Sequence, residues 1–184
     1  MLGCAMLAPR HIAPPDGGSM RALAISGWSG AGKTTLLTAL IPIFMARGLI
    51  VSSVKHAHHD APLDKPGKDS FRHAEAGARE VILMTETGFA LVSRTPAKLE
   101  TLLSRLAPVD LVLIEGFKHE PLPRLAVYRP ELGKPPPWPD EHLLAVASNT
   151  NLPNCPVPVL ALDHPDKIVD FLIPHLGLKG TELA

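Results

Sequence analysis

The sequence predicts a three-layer α/β fold, a mainly parallel sheet with helices on both faces, and three observations carry that expectation. Short apolar runs alternate with stretches of helical periodicity over most of the chain. The runs are continuously apolar, the pattern of strands buried on both faces. The first of them passes through a glycine-rich turn straight into a helix. With 184 residues, 46% of them hydrophobic, the chain can bury one sizeable core, and a single domain over residues 20–184 is expected.

Residues 1–19 are rich in proline and glycine, lack periodicity and read as a flexible N-terminal extension. A secretory signal is disfavoured there, because the apolar stretch is short and no basic region precedes it. Residues 21–26 form a short apolar strand. In 33–47, Leu36, Leu37, Leu40, Ile41 and Phe44 recur at helical spacing, with Gly48 as the stop and an expected kink at Pro42. Residues 50–55 read as a strand, 56–70 as a polar loop, 71–78 as a short helix, and 81–85 and 89–93 as strands. The stretch 96–105 opens with proline and carries a leucine stripe, so it reads as a helix. Strands follow at 111–115, 125–129, 143–147 and 157–162, and a helix over 166–176, interrupted near Pro174, closes the chain. The proline-rich stretch 130–139 is expected to be an extended surface loop.

Composition narrows the function classes. Eighteen basic residues balance eighteen acidic ones, so the broad positive field that binds nucleic acid or an anionic membrane is absent. No apolar run approaches the roughly 20 residues that span a bilayer. Two cysteines are too few for a disulfide framework, and a reducing, cytoplasmic setting suits them. An anion, if bound, must be held locally.

Residues 27–34, GWSGAGKT, fit G-x-x-x-x-G-K-[ST] between a strand and a helix, the context that motif requires. This makes the expected architecture a P-loop NTPase fold. Gly27, Gly30 and Gly32 let the amides of the loop, Ser29 and Ala31 included, turn inward, and the helix amino end adds positive potential. Lys33 reaches for the terminal phosphates and the Thr34 hydroxyl for Mg²⁺; Thr35 reads as helix that can also touch a phosphate. A metal-bound triphosphate needs an acidic group on a neighbouring strand end, and LVLIEG at 111–116 supplies Glu115. A strand ending in a solvated glutamate is the plainer reading of the same residues.

KHAHHD at 55–60 crowds His56, His58, His59 and Asp60 at a strand end, where loops of a parallel sheet line the ligand crevice. A solvated loop, a transition-metal site and a phosphate-facing surface all fit this chemistry. In DKPGKDS at 64–70, either Ser70 or Asp69 caps the following helix, or Lys68 and Asp69 face the phosphates or Mg²⁺.

Taken together, GWSGAGKTTL at 27–36, VKHAHHD at 54–60, DKPGKDSFRHAEAGA at 64–78 and LVLIEGFKHEPLP at 111–123 resemble the molybdopterin-guanine dinucleotide biosynthesis protein B (MobB) family, in order, over about residues 21–174. The resemblance implies a homodimeric GTP-binding protein that hydrolyses GTP weakly and acts mainly as an adaptor. Its companion enzyme, molybdopterin-guanine dinucleotide transferase, performs the nucleotidyl transfer, and molybdopterin is a further candidate partner. It also implies that Gly30, Gly32, Lys33, Thr34 and Thr35 hold phosphates and Mg²⁺, that Glu115 is the second acidic element, and that His58, Asp60, Asp69 and Ser70 belong to the facing loops. Lys33, Glu115 and Asp69 are the expected catalytic set, and Thr34, Glu115 and Asp69 the expected metal set.

No N-K-x-D guanine motif occurs in the chain. A base bound beyond the phosphates would lie past the later strands, near Asn149 or Asp163. Asp163 can accept from guanine N1 and N2, which adenine cannot match; as a cap of the last helix ahead of Pro165 it would have no such role. A small-molecule kinase, a metallochaperone GTPase using the histidine cluster, and a non-catalytic adaptor are the competing functions. The absence of an identifiable arginine finger predicts slow turnover.

Overall fold

The computed structural model describes residues 20–57, 62–117 and 119–180. The chain divides into two compact units, one running to His56 and resuming at Leu106, the other Ala57–Arg105.

In the first unit, six parallel strands stand in the order β2-β5-β1-β6-β7-β8: β1 (Arg21–Ser26), β2 (Val51–Lys55), β5 (Leu111–Glu115), β6 (Arg124–Val127), β7 (Leu143–Ala147) and β8 (Val159–Leu160). Strand β1 pairs with β5 on one side, Ile25 opposite Glu115, and with β6 on the other, Ser26 opposite Ala126. The chain leaves β1 toward β2 and leaves β6 toward β7, so these neighbours flank a point where the connections diverge. In open α/β sheets, that is where ligands bind, outside the carboxyl ends of the strands.

Alternate strand residues face two clusters. Leu23, Ile25, Leu113, Leu125, Val127, Ala145 and Ala147 pack against Leu36, Leu37, Leu40 and Phe44 of helix α1 (Lys33–Ala46) and against Ile168, Val169 and Leu172 of α4 (Pro165–His175). Each buried Leu, Ile, Val or Phe among these stabilises the fold by about 1.5–3 kcal/mol before entropy is charged against it. Arg47, after α1, bonds Asp170 of α4 at 2.5 Å. The register between β6 and β7 slips at Arg124/Leu125, a bulge that lets Leu144 and Ala145 both join this cluster. Over β6 and β7 the opposite face, Ala126, Tyr128, Leu143 and Val146, is covered by Trp138, Leu152, Cys155 and Val157 from loops.

Three sequence expectations change here, the first being the interruption near Pro174, since α4 continues through that proline to His175. Helix α1 runs unbroken through Pro42; the proline is exposed, and so is Thr38, whose carbonyl loses its amide partner and can turn to water. The 130–139 loop is anchored: a short 3-10 turn (Pro130–Leu132) starts it, and Trp138 meets Tyr128 edge-on at 5.6 Å.

The second unit holds α2 (Asp69–Glu75), a hairpin of β3 (Glu80–Thr85) and β4 (Gly88–Ser93), and α3 (Leu99–Leu103). The hairpin is a separate antiparallel pair. Only Glu86 and Thr87 link its strands, far short of the dozen or so residues a parallel crossover needs. Arg94 ties the hairpin to α2, bonding Glu75 at 3.1 Å and lying over the Phe71 ring at 4.9 Å. Helix α3 is shorter than the leucine stripe suggests, since Lys98 before it is still extended.

Candidate functional site

The residues of the phosphate loop leave β1 and enter α1 with the backbone the motif demands. Gly27 has φ 142°, and a Cβ there would overlap the carbonyl oxygen of Val127 on β6, so only glycine fits. Gly32, at φ 98°, is the residue that caps α1, and no side chain caps that helix end. Its first amides are therefore left for a ligand or water. Ala31 is buried, Ser29 and Gly30 are exposed, and Thr35 is exposed on the first turn of α1.

Three charged or polar groups converge at the carboxyl ends of β1, β5 and β2. The Thr34 hydroxyl donates to the Glu115 carboxylate, lying 2.9 Å from Oε1 and 3.0 Å from Oε2. Glu115 is 8% exposed, so a solvated strand end does not describe it. Lys55, the last residue of β2, stands 3.5 Å from Glu115 Oε2 and 3.4 Å from Thr34 Oγ1, giving the buried carboxylate a counter-charge. Lys33 donates to the Trp28 carbonyl at 3.0 Å, folded back over its own loop. A hydroxyl beside a buried carboxylate is a hard-oxygen donor pair of the kind Mg²⁺ takes.

The turn after Glu115 is built around Gly116, at φ 99°, followed by Phe117 at φ 50°. Phe117 stacks on His56 at 4.6 Å. Beyond β7 and β8, a cavity of about 390 Å³ is lined by Ser148, Asn149, Thr150, Asp163 and His164, among others. Asn149 Oδ1 accepts from the Leu162 amide at 2.8 Å and so joins the two loops. His164, not Asp163, is the cap residue of α4, with no side-chain cap bond. The cap reading of Asp163 is thereby replaced: it lines this cavity with Asn149.

Asp69 and Ser70 belong to the second unit. Lys68 is the cap residue of α2, without a side-chain cap bond, and Asp69 is the first helical residue, 3.9 Å from Arg72. Neither is the capping side chain the sequence suggested. His58, His59 and Asp60 lie outside the described residues. Among the described residues, no three His, Cys, Asp or Glu side chains gather as a metal site, and no helix is long and apolar enough to cross a membrane.

The sequence alone assigned no role to Trp28, Lys55 or Arg129. Arg129, just past β6, donates from Nε to the Ala31 carbonyl at 3.0 Å. Trp28 Nε1 donates to the Pro135 carbonyl at 3.0 Å. The available signal was position: Lys55 ends a predicted parallel strand, as Arg129 does, and such ends line the crevice.

A family model described as molybdopterin guanine dinucleotide synthesis protein B matches residues 22–149, a span holding the phosphate loop, Glu115 and Asn149. The chain is 44% identical over 156 residues to a molybdopterin-guanine dinucleotide biosynthesis adapter protein of Haemophilus influenzae, covering 82% of this chain and 86% of that one. It is 41% identical over 159 residues to the protein of the same description in Escherichia coli, covering 82% and 90%. The crystal structure of Bacillus subtilis MobB superposes with a TM-score of 0.67 at 25% identity, over 84% of this chain and 97% of that one. The family match over residues 22–149, the two relatives and the shared fold place the chain in the molybdopterin guanine dinucleotide synthesis protein B family.

Proposed function

We propose that the chain is a GTP-binding adapter in molybdopterin-guanine dinucleotide biosynthesis, a homodimer that hydrolyses GTP slowly and serves a nucleotidyl-transferring partner. The adapter role follows the description of its relatives. The observation that carries the nucleotide reading is the joining of Thr34 to a buried Glu115 beside a glycine-built loop at an open helix end. Thr34 and Glu115 are the residues that would hold Mg²⁺, directly or through water; when bound, the cation neutralises charge on the phosphate oxygens. Lys33, released from the Trp28 carbonyl, is the side chain that meets the terminal phosphates. Lys55 moves its charge off Glu115 as the carboxylate takes up the metal or its water. The cavity beside Asp163 and Asn149 opens on the same edge of the sheet and suits a purine base, with Asp163 accepting from guanine N1 and N2. Support for a dimer comes from the hairpin, which exposes Ile82, Met84 and Phe89, an apolar strip that two strands alone do not shelter.

Titration with GTP and ATP, each with and without Mg²⁺, tests this reading. The wild type is expected to bind GTP more tightly than ATP and to need Mg²⁺ for full affinity. Asp163→Asn is expected to lose that preference, by about tenfold or more, at unchanged Tm. Equal affinity for both nucleotides in the wild type, or a preference untouched in Asp163→Asn, would remove Asp163 from base reading.

A further inference from the structure

A side chain from outside the phosphate loop bonds its backbone. Arg129 follows β6, the strand on the far side of the divergence point from the chain leaving β1. Its Nε donates to the carbonyl of Ala31 at 3.0 Å. Its Nη2 lies 3.8 Å from where a Cβ on Gly32 would stand. Its Nη1 lies 3.4 Å from the Glu131 carboxylate, which steadies the other end of the guanidinium.

A loop that binds anions must point several consecutive amides at one spot, and the intervening carbonyls then point away. Such carbonyls need donors behind the loop. Arg129 provides one for Ala31, at the last residue before the helix cap Gly32.

Resting on the nucleotide-binding reading above, we propose that Arg129 is a positioning residue: its Nε–H bond to the Ala31 carbonyl braces the phosphate loop in its anion-binding shape. The donor at Nε performs this role, and the charge is secondary. Because Arg129 also reaches Glu131, and Trp28 reaches Pro135, the brace joins the phosphate loop to the proline-rich segment that crosses beside it.

Three variants separate the donor from the charge. Glutamine places an amide N–H₂ at the same number of bonds from Cα as Nε, without charge; lysine keeps the charge but places its ammonium one bond further out; alanine removes both. Full-length wild type and variants are titrated with GTP and Mg²⁺ by calorimetry, with Tm measured on the same samples. Arg129→Ala and Arg129→Lys are expected to weaken binding about tenfold, equivalent to about 1.4 kcal/mol. Arg129→Gln is expected to stay within about threefold of wild type, a shift of under about 1 kcal/mol. Tm should change little across the three, which a residue serving only general stability would not allow. Affinity in Arg129→Ala equal to wild type overturns the brace. Wild-type-like binding in Arg129→Lys with weak binding in Arg129→Gln overturns it in favour of charge. Absence of GTP binding by the wild type itself overturns the nucleotide reading, and the brace with it.

Discussion

A methyl group added to Gly116 would stand 2.9 Å from the Cβ of His56, in a backbone at φ 99° that side chains avoid. Both effects act on the turn that carries Glu115 into place. Gly116→Ala is therefore expected to cost about 1–3 kcal/mol, and a chain of this size loses about 2–4 °C of Tm per kcal/mol. A melting scan showing a change under one degree would mean that the turn relaxes and that His56 does not confine it. At this scale much of the site was legible. The spacing of Gly27, Lys33 and Thr34 is that of a phosphate-loop motif, and Glu115 stood out as a carboxylate ending a four-residue apolar run. Arg129 was not legible, because its role depends on β6 lying beside β1, and nothing local to either strand encodes that adjacency. Asp163 was legible only as a choice between base reading and capping, which the identity of the α4 cap residue turns against capping.

At the scale of elements, the hairpin carries the sharpest expectation. Met84 and Phe89 are register partners across β3 and β4, 81% and 76% exposed. Exposed apolar pairs of this kind mark association surfaces. On the dimer proposed above, wild type is expected to sediment as two chains and Met84→Glu combined with Phe89→Glu as one, with a mass near 19.7 kDa; a monomeric wild type would contradict the dimer itself. An unchanged dimer would place the contact between copies elsewhere. Helices were readable where apolar residues recur over several turns, as Leu36, Leu37, Leu40 and Phe44 do in α1 and Ile168, Val169 and Leu172 in α4. They were overcalled where the stripe was short: α3 keeps only its Leu99–Leu103 core because Lys98 remains extended. The hairpin strands were located correctly, but their two-residue connection already excluded them from a parallel sheet.

For the whole molecule, equal numbers of acidic and basic residues mean that no long-range field gathers anions. On the proposed reading, binding of a triphosphate depends on what converges at the carboxyl ends of β1, β2 and β5, with Arg129 bracing from β6. The sequence carried the fold class, since continuous apolar runs between helices impose a covered parallel sheet. It did not carry the strand order, which is decided by contacts distant along the chain, such as Ile25 with Glu115. Nor did it carry the division into two compact units, because apolar periodicity looks the same in both. The central claim is that this convergence is a nucleotide site, and the most direct test is a GTP–Mg²⁺ titration of wild type beside Lys33→Ala. The Lys33 ammonium bonds the Trp28 carbonyl of its own loop, so its removal should leave the circular dichroism spectrum and Tm unchanged. The account predicts saturable binding by the wild type and a loss of about 100-fold or more in Lys33→Ala, a size consistent with losing a charge-assisted contact and its share of the phosphate field. Equal affinity in the two proteins would contradict it.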